Sequence, residues 1–284
     1  MLEFTTIPEI RSWSRAERAA GHRIGLVPTM GYLHEGHLAL VDEARRRSDR
    51  VVLTIFINPL QFGPSEDLAR YPRDLARDRG LATDRGVNVI FVPESSTMYP
   101  PGSEVRVTPG RMAERWEGAA RPGHFTGVLT VVAKLFHIVE PHVACFGQKD
   151  IQQLTLIRRM VADLDWPLEI VTVKTIREND GLALSSRNAY LSPEDRVRAR
   201  ILSRALQSAH DAWKAGETRA SALEARMSQE LGRESTVRAD YIAVGDPRTL
   251  APVENVDGST IIAIAARVGG TRLIDNIVLG EGVG

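Results

Sequence analysis

The chain has 284 residues, 43% of them apolar and 25% charged, with 36 Lys and Arg set against 36 Asp and Glu. That composition supports a large buried core and excludes a disordered or fibrous chain, while the balanced charge, with no long run of one sign, gives no field to draw the protein to nucleic acid or membrane. Small-molecule partners are expected.

From residue 22 onward, short apolar runs rich in β-branched residues alternate with segments of helical period. The first run, HRIGLVP (22–28), leads into the stretch VPTMGYLHEGH (27–37), which carries Gly31, His34, Gly36 and His37. Leu38, Val41 and Ala44 then repeat at helical spacing. RVVLTIFIN (50–58) is the second expected strand, followed by the turn NPLQFG. EDLARYPRDLARD carries charges of both signs around Tyr71 and Pro72, and reads either as a solvated helix or as a lid. VNVIFVP (87–93) is the third strand. RPGHFTGV places His124 ahead of the apolar helix VLTVVAKLF, and HVACFG (142–147) is the fourth strand, containing the only cysteine, Cys145. One thiol in an apolar run points to a buried, unreactive group in a reducing compartment, so the cytoplasm is expected. Ile151, Leu154, Ile157 and Val161 mark another helix, and LEIVTV (168–173) is the fifth strand.

Continuous apolar strands alternating with helices predict a doubly wound, Rossmann-like parallel α/β sheet, whose ligands lie beyond the carboxyl ends of the strands. The pattern then changes. Ser192 and Pro193 open a helical stretch, a second runs near 217–231, and VRADYIAV (237–244), STIIAIAARV (259–268) and TRLIDNIVL (271–279) read as strands. The expected division is a nucleotide-binding domain over 1–175 and a smaller α+β domain over 176–284. No N-terminal stretch has the regions of a signal peptide, and no apolar run approaches the ~18 residues of a membrane span.

The chemistry concentrates at strand ends. His34 and His37 lie between a strand and a helix start, where backbone N–H groups and the helix dipole favour an anion and imidazoles add directional donors. Gly31 and Gly36 would let the backbone approach a phosphate. Helix capping is the plain alternative, and a zinc reading is weaker because HEGH lacks histidines at i, i+4 and no third ligand is evident. GQKD (147–150) brings Gly147, Gln148, Lys149 and Asp150 to another strand end, with Gln152 and Gln153 after them. Ser185, Ser186 and Arg187 follow the fifth strand. Any one of these segments alone could be a polar linker, whereas three strand ends with phosphate-type donors together suggest a phosphate site. Asn58 and Gln61, after the second strand, suit a hydroxylated or carboxylate substrate.

Taken in order, PTMGYLHEGH, FINPLQFG, YPRD, RPGHFTGV, FGQKDIQQL and IRENDGLALSSRN resemble the blocks of the pantothenate synthetase (pantoate–β-alanine ligase) family, within the nucleotidyltransferase-like HIGH superfamily, across roughly residues 22 to 190. DYIAV and TRLIDN resemble it more loosely. Tyr32 and Leu184 stand at positions where other residues are also familiar. The resemblance implies ATP-dependent condensation of (R)-pantoate with β-alanine to pantothenate, AMP and pyrophosphate through a pantoyl-adenylate. His34, His37 and Lys149 would meet the charge that builds on the α-phosphate, and family practice makes His37 a proton donor. Ser185, Ser186 and Arg187 would hold the β- and γ-phosphates, with Mg²⁺ bridging and no protein-bound metal besides. Gly147 and Asp150 would take the ribose, and Met30, Gly31, Gly36, Gln148, Ile176 and Leu184 would complete the ATP contacts. Gln61 and Gln153, with Asn58 nearby, would bind pantoate, and Gln61 would also bind β-alanine. The family further implies a homodimer. The rival readings are a nucleotidyltransferase of the same superfamily and a non-enzymatic nucleotide sensor.

Overall fold

The computed structural model describes every residue except Ser65 and Gly284. In chain order the elements are β1 (Leu2–Phe4), α1 (Ile7–Ala19), β2 (Ile24–Thr29), α2 (Glu35–Arg47), β3 (Arg50–Ile55), α3 (Leu75–Asp84), β4 (Val89–Phe91), α4 (Ser95–Met98), α5 (Trp116–Ala120), α6 (His124–Val139), β5 (Val143–Gly147), α7 (Ile151–Asp163), β6 (Glu169–Val173), α8 (Pro193–Ala199), α9 (Ile201–Lys214), α10 (Ala220–Leu231), β7 (Val237–Gly245), β8 (Ile261–Val268) and β9 (Thr271–Val278). Short 3₁₀ turns at Pro59–Gln61, Gln148–Asp150 and Ser186–Tyr190 fall among them.

The chain packs as two units, the first comprising Met1–Gly110, Arg121–Gly147 and Leu156–Val173, and the second Arg111–Ala120, Gln148–Thr155 and Lys174–Gly284. Two segments from the first 175 residues thus pack with the C-terminal unit, and their hydrogen bonds show why. The Gln152 amide accepts the Glu117 N–H and donates to the carbonyls of Met112 and Arg115, so Arg111–Ala120 and Gln148–Thr155 hold each other.

The first unit contains a six-stranded sheet in the order β1-β4-β3-β2-β5-β6, with every pair parallel. This is the doubly wound α/β architecture expected from the apolar runs. Val27, Leu53, Ile90, Val143 and Cys145 are buried in its core with Leu40, Val41 and Ala44 of α2. From β2 the chain winds one way to β3 and β4, and the other way to β5 and β6. The switch point therefore lies between β2 and β5, where ligands bind in open sheets of this kind.

The sequence reading starts at residue 22 and does not anticipate β1 or α1. Three residues are too few to show a period, although the Thr6–Glu9 capping box that opens α1 is a recognisable start signal. The segment around Tyr71 is not a continuous solvated helix. A 3₁₀ turn at Asp67–Ala69 precedes residues in no regular element, Tyr71 is buried edge-on against Phe62 at 6.0 Å, and α3 begins only at Leu75 behind its Asp74 cap.

In the second unit β7, β8 and β9 form an antiparallel sheet whose apolar residues, among them Ile262, Ile264 and Ile277, pack with Leu202, Leu206 and Leu223 of α9 and α10. The helix expected from Ser192 divides at Arg200 into α8 and α9. Among the described residues no helix is long and apolar enough to cross a membrane.

Candidate active site

In the first unit, β2 ends at Thr29 and the chain turns sharply through Gly31 (φ +84°) and Tyr32 (φ +52°), both left-handed. A β-carbon at Gly31 would lie 2.9 Å from Ile55 and 3.0 Å from Asp78, so glycine is required there by space as well as by φ. The next backbone donors all go to side chains. Gly31 N–H donates to Thr29 Oγ1 (3.1 Å), and Tyr32 and Leu33 donate to the two carboxylate oxygens of Asp78 (2.7 Å each).

His34 is extended and caps α2, its Nδ1 accepting the Gly36 N–H at 3.1 Å, while His37 Nδ1 accepts the His34 N–H at 3.4 Å. The ring centroids are 4.0 Å apart. A nitrogen that accepts an N–H carries no proton, so in this arrangement Nε2 is the donor atom of each ring. The Gly31 and Gly36 N–H groups are taken up inside the loop, by the Thr29 hydroxyl and the His34 ring. The directional donors here are imidazoles, with the histidines serving as caps as well.

The turn after β3 is fixed as closely. Asn58 is 1% exposed, and its Oδ1 accepts the Leu60 N–H (3.3 Å) and the Tyr99 hydroxyl (2.9 Å), while its Nδ2 donates to Gly127 O (3.0 Å) and Gln61 Oε1 (3.1 Å). Two donors and two lone pairs are the full capacity of an amide. The backbone partners settle its orientation, because a carbonyl can only accept and an N–H can only donate. Asn58 therefore orients Gln61, leaving the Gln61 Nε2 3.1 Å from Met30 Sδ. Burial raises the pKa of Tyr99 far above its usual value, against the opposing charge of Arg106, so the hydroxyl stays a donor.

The Gln61 carbonyl accepts from His124 Nδ1 (2.8 Å) and Arg121 Nη2 (3.3 Å), and Arg121 forms a two-pronged pair with Glu66 at 2.7 and 2.6 Å. Burial works to raise the Glu66 carboxyl, yet the Arg121 guanidinium outweighs it and holds the group below its ordinary range. His124 opens α6 as its first residue, and the cap position belongs to Gly123. A cavity of about 370 Å³ lies at the carboxyl ends of β2, β3 and β4, lined by Met30, Gly31, Tyr32, Ile57, Arg73 and Glu94 among others.

In the second unit the Gln148–Asp150 turn is held by β9: Asn276 Nδ2 donates to Gln148 O (3.0 Å) and Lys149 O (2.7 Å). The Lys149 ammonium lies 3.9 Å from the Asp150 carboxylate. Beside Asn276, Asp275 accepts both Nη groups of Arg177 at 2.7 and 2.9 Å, with the two side chains 3% and 6% exposed. That pair ties down the segment from Ile176 to Leu184, which folds back so that the Leu184 N–H donates to Ile176 O at 2.9 Å. Ser185 caps the following 3₁₀ turn, its Oγ accepting the Arg187 N–H at 3.2 Å, and β9 packs against this turn as well. Gln153 on α7 is half-buried, unlike Gln152, whose amide is spent on the backbone.

The first unit thus groups Met30, Gly31, His34, Gly36 and His37 on one turn, and Asn58 and Gln61 on another, with Gly147 ending β5. The second groups Gln148, Lys149 and Asp150, and brings Ile176 against Leu184 ahead of Ser185, Ser186 and Arg187. Sequence reasoning missed Asp78, Tyr99, Arg177, Asp275 and Asn276. Arg177 stood inside IRENDGLALSSRN and the last two inside TRLIDN, but nothing in those stretches singled them out.

The family model described as pantoate-beta-alanine ligase matches residues 3–278. The chain belongs to the pantoate-beta-alanine ligase family. A pantothenate synthetase of Moorella thermoacetica is 53% identical over 274 residues, covering 96% of this chain and 97% of that protein. The crystal structure of pantothenate synthetase from Thermus thermophilus matches with a TM-score of 0.94 at 48% identity, over 98% of this chain and 99% of that one. The pantoate-beta-alanine ligase of Francisella tularensis, solved in complex with beta-gamma ATP and beta-alanine, matches with a TM-score of 0.80 at 31% identity over the whole of both chains. As a member of this ligase family the chain condenses pantoate with β-alanine.

Proposed function

We propose that the condensation runs at the expense of ATP through a pantoyl-adenylate. A pantoate carboxylate oxygen attacks the α-phosphorus, pyrophosphate leaves, and negative charge builds on the α-phosphate oxygens. The observation that carries this reading is the pair of imidazoles at the carboxyl end of β2, whose Nδ1 atoms each accept a backbone N–H. Preorganised donors of this kind stabilise developing charge. Lys149 adds a cation, Ser185, Ser186 and Arg187 take the β- and γ-phosphates, and Gly147 and Asp150 take the ribose. Met30, Gly31, Gly36, Gln148, Ile176 and Leu184 complete the nucleotide contacts. In the second step the β-alanine amine attacks the acyl carbon, the C–N bond forms, and AMP departs with the carboxylate oxygen.

Gln61 and Gln153 bind pantoate, Asn58 contributes by orienting Gln61, and Gln61 meets β-alanine. The ATP and β-alanine bound to the Francisella tularensis ligase support both substrates here. Among the described residues no three His, Cys, Asp or Glu side chains are grouped to cage a metal. Mg²⁺ keeps several waters and binds through substrate phosphates, where it would supply charge neutralisation. We further propose that the first 175 residues carry most of the nucleotide and pantoate contacts, and that the protein acts as a homodimer in the cytoplasm. The family resemblance supports the dimer, and the one buried thiol supports the compartment.

The test is exchange of labelled pyrophosphate into ATP with pantoate present and β-alanine absent, beside formation of pantothenate from all three substrates. Exchange that appears only with β-alanine would refute the order of steps. Dialysis against a chelator followed by Mg²⁺ should restore the full rate, and stoichiometric zinc needed for activity would refute the assignment of the metal.

A further inference from the structure

The turn that carries the histidine pair is strained. Tyr32 sits at φ +52°, a conformation costly for a residue with a β-carbon, and it follows Gly31 at φ +84°. Such a turn persists only where its surroundings over-determine it.

The surroundings are supplied by α3. Asp78, 1% exposed, directs one carboxylate oxygen to the N–H of Tyr32 and the other to the N–H of Leu33, each at 2.7 Å. Arg77, one residue earlier, lies over the Tyr32 ring at 5.5 Å. A buried carboxylate is expensive unless it is well bonded, and bonds from N–H groups to a charged acceptor are the strong ones. Spending both oxygens on two consecutive amides at the strained residue fixes the direction in which the chain leaves the turn. The next residue is His34, whose own N–H donates to His37.

We infer that Asp78 is the positioning residue of the histidine pair: it acts through the Tyr32–Leu33 backbone and sets where the two imidazoles stand when charge develops on the α-phosphate. This rests on the adenylation reading of His34 and His37. Asp78 itself touches neither imidazole nor substrate in this role. Asparagine in its place keeps the shape but has one oxygen, and its NH₂ opposes the second backbone donor. The turn then loses one bond and gains a repulsion. A displacement of the imidazoles of the order of 1 Å costs about 10²-fold in rate, so a loss of about 10–100-fold is expected.

The experiment uses the full chain and two measurements on Asp78→Asn. In pantoate-dependent pyrophosphate exchange, kcat should fall by about 10–100-fold with the KM values for ATP and pantoate within about threefold, since the geometry fails for the transition state more than for the ground state. In long-range ¹H–¹⁵N spectra of the imidazoles, the parent protein should show His34 and His37 protonated on Nε2 alone. The variant should lose that signature at these two rings and keep the parent pattern at the other five of the seven histidines. A folded variant with kcat within twofold of the parent and an unchanged imidazole pattern overturns the inference, as does a loss confined to KM. If the parent protein itself shows no exchange, the adenylation reading fails, and the spectra still decide whether Asp78 places the rings. Should Asp78→Asn be too unstable, Tyr32→Gly removes the steric cost of the turn, and the double variant is compared with Tyr32→Gly alone. The inference requires the double variant to exchange about 10–100-fold more slowly, and equal rates overturn it.

Discussion

Gly127 in α6 faces the Pro59–Gln61 turn so closely that a β-carbon there would lie 2.1 Å from Leu60 O, 2.4 Å from Leu60 C and 2.6 Å from Gln61 N. These are backbone atoms, which no side-chain rotation can move aside. Gly127→Ala must therefore push the turn away, and reaching an ordinary contact of 3.4 Å means a retreat of about 1.3 Å. The Asn58 bond to Gly127 O and the His124 bond to Gln61 O span the same gap, at 3.0 and 2.8 Å, and both would stretch beyond bonding distance. Overpacking costs about 1–3 kcal/mol and two strained bonds about 1 kcal/mol each, offset by about 1 kcal/mol from the better helix propensity of alanine. The net is about 2–4 kcal/mol, or a fall in Tm of about 5–15 °C at about 2–4 °C per kcal/mol. Because Gln61 rides on the turn, kcat/KM for pantoate should fall by about 10²-fold, while KM for ATP should hold within about threefold. Thermal unfolding and steady-state kinetics with pantoate varied make the measurement. A variant that unfolds within about 2 °C of the parent, or that keeps kcat/KM for pantoate within about threefold, would show that α6 does not set the position of Gln61.

His37→Ala or Lys149→Ala should slow adenylation by about 10²–10³, and supplying pantoyl-adenylate directly should bypass most of the defect; equal slowing with the adenylate supplied would place them in amide formation too. Burial pushes the Cys145 thiol up to about 12, so the native protein should resist a thiol reagent at pH 8 and react only on unfolding, and rapid modification of folded protein would contradict this. Burial, followed by the charges of Arg18 and Arg23, holds His142 below its usual pKa, and its Nδ1 accepts the Ile24 N–H at 3.0 Å. A depressed value stabilises the fold above the unfolded pKa of about 6.5, and that contribution drains away as pH falls below it. Urea unfolding at pH 7.5 and pH 5.5 should thus show a larger acid loss for the parent than for His142→Asn, which keeps an acceptor but cannot titrate; equal losses would refute the assignment.

The architecture was legible where burial on both faces forced continuous apolar runs, as in β2, β3 and β5, and the histidine pair was legible because a strand end, two glycines and a helix start stand in one short stretch. What escaped were the groups whose work is done at long sequence separation. Asp78 lies 46 residues from Tyr32, and within LARDRG it looks like one more charge on a mixed-sign helix. Asn276 is 127 residues from Lys149, and Arg177 is 98 from Asp275. Neither period nor propensity carries such information, since a polar side chain bonded to a distant backbone is locally indistinguishable from a solvated one. Asn58 was legible as important but not in its manner. Only the full set of its bonds shows an amide with no capacity left for a ligand.

The anchors share a logic. Asp78 engages the N–H groups of Tyr32 and Leu33, His124 and Arg121 engage the carbonyl of Gln61, and Asn276 engages the carbonyls of Gln148 and Lys149. In each case the turn is gripped by its backbone while the side chain it carries is held by other means. Had the anchors bonded the functional groups themselves, every bond to a substrate would first require breaking one to the protein. Gripping the backbone avoids that exchange: position is fixed before substrate arrives, and the Lys149 ammonium, with the Asp150 carboxylate no nearer than 3.9 Å, keeps its donors for an incoming anion. Precision without loss of bonding capacity is what a preorganised site requires. Substitution of an anchor should accordingly leave each functional group present and degrade its placement, which separates an anchor from a catalytic group in kinetics: an anchor variant slows the same step by about 10–100-fold, where removal of the donor itself costs about 10²–10³.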